Sequence, residues 1–112
     1  MWAARTEQPG GKTSPEELAA AAHSSCFAMA LALRLDERNN PPQQLSVEAT
    51  VTLDDVDRAP TIVSSQLLVR ARVAGLDGDG FQAVVDEAAA LCPVSRVFTG
   101  ARISIEALLE PH

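Results

Sequence analysis

The hydrophobic pattern of the chain begins with a long helix. Ser14 followed by Pro15 and two glutamates is a typical helix start, because serine can cap the first turn and proline fits the first helical position. From Leu18 to Leu35 the chain is apolar on nearly every face, as expected of a helix that is buried on several sides. We therefore predict a central helix over this segment, which a break at Asn39–Pro42 separates from the next element.

Two strands are predicted after that break. Apolar and polar residues alternate from Leu45 to Leu53 and again from Val63 to Val73. Alternation with a period of two is typical of a strand that has one face buried and the other in water. We expect the two strands to be antiparallel neighbours.

A second helix and a last strand complete the pattern. Gly75–Gly80 links the second strand to a helix whose apolar stripe ends at Cys92, and Pro93 can open a further short turn. Apolar residues alternate once more over 101–107. This order predicts an α+β domain in which two main helices pack on one face of an antiparallel sheet.

The size of the chain limits how the central helix can be covered. With 112 residues, 46% of them hydrophobic, we expect residues 1–112 to form a single domain with a modest core. Such a domain can hardly wrap one helix by itself. We therefore predict a homodimer, with the sheet on one side of the central helix and a second copy of the chain on the other.

Charge and hydropathy argue against several classes of partner. The net charge is −6, with 15 acids and 9 bases spread along the chain, so no basic stripe predicts binding to nucleic acid. His23, Ser24 and Arg34 interrupt the apolar helix, and we expect no membrane span. The first seven residues lack the apolar core of a secretory signal, which favours a cytoplasmic location.

The two cysteines, Cys26 and Cys92, are the strongest candidates for chemistry. They form no Cys-x-x-Cys motif, and their periodicity alone allows two small buried hydrophobic residues. If the two helices pack together, the cysteine Cα atoms could reach the separation of about 5.5 to 6 Å that a disulfide needs. A third possibility is zinc bound by His23 and both cysteines, although the sequence offers no evident fourth ligand.

Three motifs of the sequence are specific: the Pro-Glu-Glu-Leu start at 15–18, the Cys-Phe step at 26–27 and the Cys-Pro-Val-Ser turn at 92–95. Together they resemble the osmotically inducible protein C and organic hydroperoxide resistance (OsmC/Ohr) family. The resemblance runs from about Arg5 to Leu108, and the Ala-Ala-His before the first cysteine is closer to the OsmC branch. Members usually carry further N-terminal strands, so we expect an N-terminally short OsmC-like domain.

The resemblance implies a peroxidase of the oxidative stress response. Family members reduce organic hydroperoxides, and hydrogen peroxide less well, with two cysteines, an arginine and a glutamate. On this chain Cys26 would attack the peroxide and Cys92 would resolve the resulting sulfenic acid as a disulfide, assisted by Glu16 and Arg5. The family implies no cofactor and no metal, and the reductant would be a dithiol: a lipoyl group, a small thiol or a thioredoxin-like protein.

The spacing of Glu16 from Cys26 sets a geometric condition on this assignment. Ten residues of straight helix separate two side chains by about 15 Å along the axis. We therefore expect Glu16 and Arg5 of one subunit to complete the site around Cys26 of the other. The alternative function is an OsmC-like scaffold or binding protein without catalytic activity.

Overall fold

The structure is a computed structural model, and it describes residues 14–111. Three helices and one three-stranded sheet make up this part of the chain. In order along the chain they are α1 (Pro15–Glu37), β1 (Gln44–Val56), β2 (Ala59–Arg72), α2 (Gly78–Leu91), α3 (Pro93–Val97) and β3 (Arg102–Leu109).

Helix α1 begins where the sequence predicts. The Ser14 side chain accepts a hydrogen bond of 3.1 Å from the amide of Glu17, and Pro15 occupies the first turn. The helix runs two residues past the predicted end, to Glu37, and Asn39 then turns the chain with a φ of 61°. One stripe of α1 is fully buried, at four positions spaced by four residues: His23, Phe27, Leu31 and Leu35.

The opposite side of α1 is open to solvent in the single chain. Leu18 is 62% exposed, Met29 72% and Leu33 57%. This exposure agrees with the expectation that one chain cannot cover α1 by itself, because a single sheet can cover only one side of a helix. Whether a second copy covers the other side stays a prediction.

Strands β1 and β2 form an antiparallel hairpin, as predicted. Their register runs from Gln44 opposite Arg72 to Val56 opposite Ala59. The two turn residues, Asp57 and Arg58, both have positive φ, 51° and 66°. Two consecutive positive φ values are typical of the tight hairpin turn that matches the twist of its strands.

Strand β3 differs from the prediction in its direction. It lies beside β2 and runs parallel to it, so the sheet has the order β1-β2-β3 and is mixed rather than fully antiparallel. The reason is the connection: the chain leaves β2, crosses through α2 and α3, and returns to the end of the sheet where β2 began. A crossover of this kind is how parallel neighbours are joined. The α+β class is confirmed.

The core lies between the sheet and the two main helices. The Asp77 side chain accepts a hydrogen bond of 2.7 Å from the Gly80 amide and so caps α2. The apolar stripe of α2 packs against α1 and the sheet. The buried hydrophobic residues are Phe27, Leu31, Leu35, Leu67, Val69, Ala71, Val73, Phe81, Val84, Val85, Ala88 and Cys92.

Helix α1 is also long and apolar enough, by length and composition, to cross a membrane. The most apolar 18 residues of α1 have a mean hydropathy of 1.4, so the polar interruptions do not make the helix too polar for a membrane span by this measure. Core helices pass the same test, and the buried stripe that α1 packs against the sheet favours that interpretation. The expected absence of a membrane partner and the cytoplasmic location stay predictions.

Candidate active site

Cys26 lies in the middle of α1 and is half-buried. Its position, one residue before buried Phe27, places it at the border between the packed and the open side of the helix. There it lines an open apolar depression of about 580 Å³. The other residues that line this depression are Met29, Ala30, Ala32, Leu33 and Pro93. A small apolar molecule can therefore approach the Cys26 sulfur from the open side.

Cys92 lies between α2 and α3 and is fully buried. It ends the apolar stripe of α2, as the sequence indicates, and Pro93 starts α3 directly after it. The structure brings the Cys26 and Cys92 thiols within interaction range, close enough for each to shift the pKa of the other. Both are free thiols.

The pKa of the Cys26 thiol is raised. Burial is the largest cause, since it removes water from the charged form. The neighbouring Cys92 adds to the rise through its hydrogen bond and its charge, while the Val94 amide offsets part of it. Within the described part of the chain, Cys26 is therefore favoured as the protonated partner of the pair.

The pKa of the Cys92 thiol shifts in the opposite direction and is lowered. Burial raises its pKa, but nearby hydrogen-bond donors outweigh burial and leave the pKa lowered. These donors are the Ser95 hydroxyl, the Ser95 amide, the Cys26 thiol and the Val94 amide.

Access and ionisation thus favour different sulfurs. Cys26 faces the depression, whereas Cys92 better carries the negative charge. Because the two titrate as a pair, ionising one makes ionising the other harder. The cation that the family resemblance pairs with Cys26 is Arg5, which lies outside the described residues.

His23 connects this pair to the sheet. Its Nδ1 lies 2.6 Å from the Ser65 hydroxyl and its Nε2 lies 2.7 Å from the Ser95 hydroxyl. The ring also packs edge-on against Phe98, with 5.2 Å between centroids. Burial lowers the pKa of His23, which favours the neutral imidazole.

Within the described residues, this arrangement argues against the zinc alternative. Both ring nitrogens of His23 already have hydroxyl partners. Among residues 14–111, no three His, Cys, Asp or Glu side chains are grouped so that they could hold a metal ion. Sequence reasoning assigned no role to two residues of the arrangement, Ser65 and Ser95. Ser65 could have been noticed in the sequence, because it is a polar residue on the side of β2 that is otherwise apolar and buried.

Glu16 lies away from the two sulfurs within one chain. It is half-buried in the first turn of α1, in the same unbroken helix as Cys26 and ten residues before it. At about 1.5 Å per residue, the two lie about 15 Å apart along the axis. The structure therefore brings together Cys26 and Cys92 but not Glu16.

The sequence profile of the family described as OsmC-like protein matches residues 8–107. The chain belongs to the OsmC-like protein family. It is 42% identical over 85 residues to the peroxiredoxin OsmC of Escherichia coli strain K12, a match that covers 76% of this chain and 59% of the relative. It is 30% identical over 92 residues to an organic hydroperoxide resistance protein of Xanthomonas axonopodis pv. citri, covering 81% and 63%.

Solved structures of OsmC-like proteins show the same fold. The organic hydroperoxide resistance protein OhrB of Bacillus subtilis superposes with a TM-score of 0.69 at 25% identity, covering 91% of this chain and 73% of that one. An OsmC-like protein from Mycoplasma pneumoniae gives a TM-score of 0.80 at 13% identity, covering 96% and 79%, which supports the fold alone. The family resemblance is confirmed, and the chain spans less than two thirds of the length of these two curated relatives.

Proposed function

We propose that this OsmC-like protein is a thiol peroxidase that reduces organic hydroperoxides. The observation that carries the proposal is the contact between an accessible thiol, Cys26, and a buried thiol with a lowered pKa, Cys92. The first can meet a substrate, and the second is held where it can attack the first. The names of the relatives, peroxiredoxin and organic hydroperoxide resistance protein, support the same activity.

The reaction proceeds in two displacements. The Cys26 thiolate attacks the outer peroxide oxygen, the O–O bond breaks, and the alkoxide leaves and takes up a proton to become an alcohol. The Cys92 thiolate then attacks the sulfenic sulfur of Cys26. The S–O bond breaks, a disulfide forms, and the departing hydroxide becomes water. A thiol reductant restores both thiols: either one dithiol, such as a lipoyl group or a thioredoxin-like protein, or two equivalents of a small thiol, is oxidised to a disulfide in exchange.

The first displacement needs a cation. Because burial and Cys92 raise the pKa of Cys26, its thiolate must be stabilised by charge from elsewhere. A lower pKa also reduces the nucleophilicity of a thiolate, so ionisation alone gives only a modest gain. A guanidinium can hold the thiolate, orient the peroxide and stabilise the departing alkoxide. We assign these tasks to Arg5, with Glu16 fixing its position as an ion pair.

The depression beside Cys26 supports organic over inorganic hydroperoxides. All the residues that line it are apolar or sulfur-containing. An alkyl or aryl group placed there gains hydrophobic contact, about 25 cal/mol for each Å² removed from water. Hydrogen peroxide has no such group, so we expect it to be the poorer substrate.

A second candidate function is an OsmC-like scaffold or binding protein without turnover. The raised pKa of Cys26 favours it, because a thiol that stays protonated reacts slowly with peroxides. The two functions differ in what one equivalent of oxidant does to the protein.

Intact-mass measurement separates the two. The reduced protein is mixed with one equivalent of cumene hydroperoxide; the peroxidase is expected to lose two hydrogens as the Cys26–Cys92 disulfide forms. Cys92→Ser should instead gain one oxygen at Cys26, trapped by dimedone, and Cys26→Ser, which keeps only Cys92, should show no change in mass. An unchanged mass with both thiols still titratable would show a scaffold instead.

A further inference from the structure

His23 is a buried polar group that neither displacement uses directly. It is fully buried in the core, and each ring nitrogen has a hydroxyl partner at 2.7 Å or less. A neutral imidazole carries one N–H donor and one bare acceptor nitrogen. Its two serine partners must therefore play opposite parts, one accepting and one donating.

Two hydrogen arrangements satisfy this rule. In the first, Ser65 donates to Nδ1 and Nε2–H donates to Ser95, which leaves the Ser95 hydroxyl hydrogen free to point at Cys92. In the second, Nδ1–H donates to Ser65 and Ser95 donates to Nε2, so the Ser95 oxygen can only accept from the Cys92 thiol. The first arrangement suits a Cys92 thiolate and the second suits a neutral thiol.

We propose that His23 is a positioning residue for disulfide closure: held by Ser65 and Phe98, it orients the Ser95 hydroxyl toward Cys92, which then attacks oxidised Cys26. The inference rests on the proposed peroxidase reaction and concerns its second displacement. In that step the S–S bond forms as the S–O bond breaks. The proton lost by Cys92 and the departing hydroxide together make water, so Cys26–SOH and Cys92–SH give the disulfide and one water molecule.

The surroundings of Cys92 explain why such a device is needed. Water cannot reach the fully buried Cys92 sulfur to stabilise its thiolate, and for this reason burial raises the pKa of Cys92. The Ser95 hydroxyl is the largest of the contributions that lower the pKa again. A hydroxyl is a free rotor, and only a partner on its oxygen fixes where its hydrogen points. His23 is that partner, and its own orientation is set by β2 through Ser65.

Rapid-mixing kinetics test the inference. One equivalent of cumene hydroperoxide is added to reduced protein, and sulfenic acid and disulfide are followed separately by dimedone trapping and intact mass. Ser95→Ala and His23→Leu should slow closure about tenfold, the size of one hydrogen bond to a charged group, so that sulfenic acid accumulates. Cys26 oxidation should stay within about twofold of the wild-type rate.

Matched variants separate positioning from loss of structure. Ser24→Ala removes a hydroxyl from the same helix as His23, but within residues 14–111 that hydroxyl donates to the Ala21 carbonyl at 3.1 Å and not to His23 or Ser95, so closure should be unchanged. Ser95→Thr keeps a hydroxyl and should restore most of the rate. His23→Gln keeps a side-chain donor and should fall between wild type and His23→Leu. Equal closure rates in wild type, Ser95→Ala and His23→Leu would overturn the inference.

A second measurement does not depend on peroxidase activity. In a Cys26→Ser background Cys92 is the sole thiol, and its ionisation is followed by thiolate absorbance as pH is raised. Ser95→Ala and His23→Leu should move the midpoint upward by about one pH unit, the equivalent of a tenfold change in ionisation. If wild type forms neither sulfenic acid nor disulfide, the proposed function fails, and with it the role in closure, while this shift still supports the part of the inference in which His23 orients the Ser95 hydroxyl toward Cys92. An unmoved midpoint would contradict the inference whatever the activity.

Discussion

At the residue scale, two neighbouring sulfurs differ because their surroundings differ. Within residues 14–111, Cys26 has an open depression on one side and fewer donors than Cys92, whereas Cys92 is fully buried but has several donors from the turn that comes after it. Burial raises the pKa of both, and the local donors decide the net sign. The difference between the accessible and the buried sulfur therefore depends on the turn at 92–95 as much as on the cysteines themselves.

The neutral state of buried His23 predicts how stability depends on pH. Its pKa in the fold is below the unfolded value of about 6.5, so the unfolded chain binds more protons as pH falls through that value. The contribution of His23 is fully present above about pH 6.5 and is lost toward lower pH, by up to about 1.4 kcal/mol per pH unit. Urea unfolding at pH 7.5 and pH 5.5 should show a smaller loss in His23→Gln than in wild type. An equal loss in both proteins would mean that His23 is not held neutral.

At the element scale, local signals were predictable from the sequence and non-local pairings were not. The start of α1 depends on Ser14 and Pro15, which lie beside it, and the hairpin alternation of β1 and β2 is local as well. The direction of β3 depends on where a long crossover returns the chain, which no local pattern encodes. The partners of His23 were missed for the same reason, since they lie 42 and 72 residues away.

The hairpin turn between β1 and β2 gives a prediction at this scale. Arg58 occupies the left-handed region at φ 66°, where an L side chain costs about 1–2 kcal/mol and glycine costs little. After the extra chain entropy of glycine is subtracted, Arg58→Gly should raise the free energy of unfolding by roughly 0.5–1 kcal/mol. Chemical denaturation measures this. Glu48→Gly, at an exposed strand position, is the control and should destabilise; a loss of stability in Arg58→Gly would show that the turn has another geometry.

At the scale of the whole molecule, the open side of α1 is the feature that bears most on function. Leu18, Met29 and Leu33 form an exposed apolar stripe along a helix of 23 residues, and Cys26 lies beside it. Exposed large apolar side chains that share one side of a helix are typical of an interface. Within one chain, ten residues at 1.5 Å each keep Glu16 about 15 Å from Cys26 along the axis. If a second copy of α1 packs there in the antiparallel direction, the first turn of the partner's helix comes near Cys26.

A complementation experiment decides whether sites are shared between subunits. Glu16→Ala and Cys26→Ser chains are mixed in equal amounts and refolded together. If each site takes Glu16 from one subunit and Cys26 from the other, each heterodimer contains one intact site. Half of the dimers are then mixed and half of their sites are active, so peroxidase activity per chain should recover to about a quarter of wild type, as random pairing of a twofold dimer requires.

The control for this experiment carries both substitutions in one chain, mixed with wild type. There no mixed dimer contains an intact site, since the wild-type cysteine faces the introduced alanine and the wild-type glutamate faces the introduced serine. Activity should then fall to about a quarter, from wild-type dimers alone, by the same random pairing. If Glu16 instead serves its own chain, the first mixture recovers nothing and the second retains about half. A shared site therefore predicts more activity than a site within one chain in the first mixture and less activity in the second. The shared site is accepted only if both results are obtained.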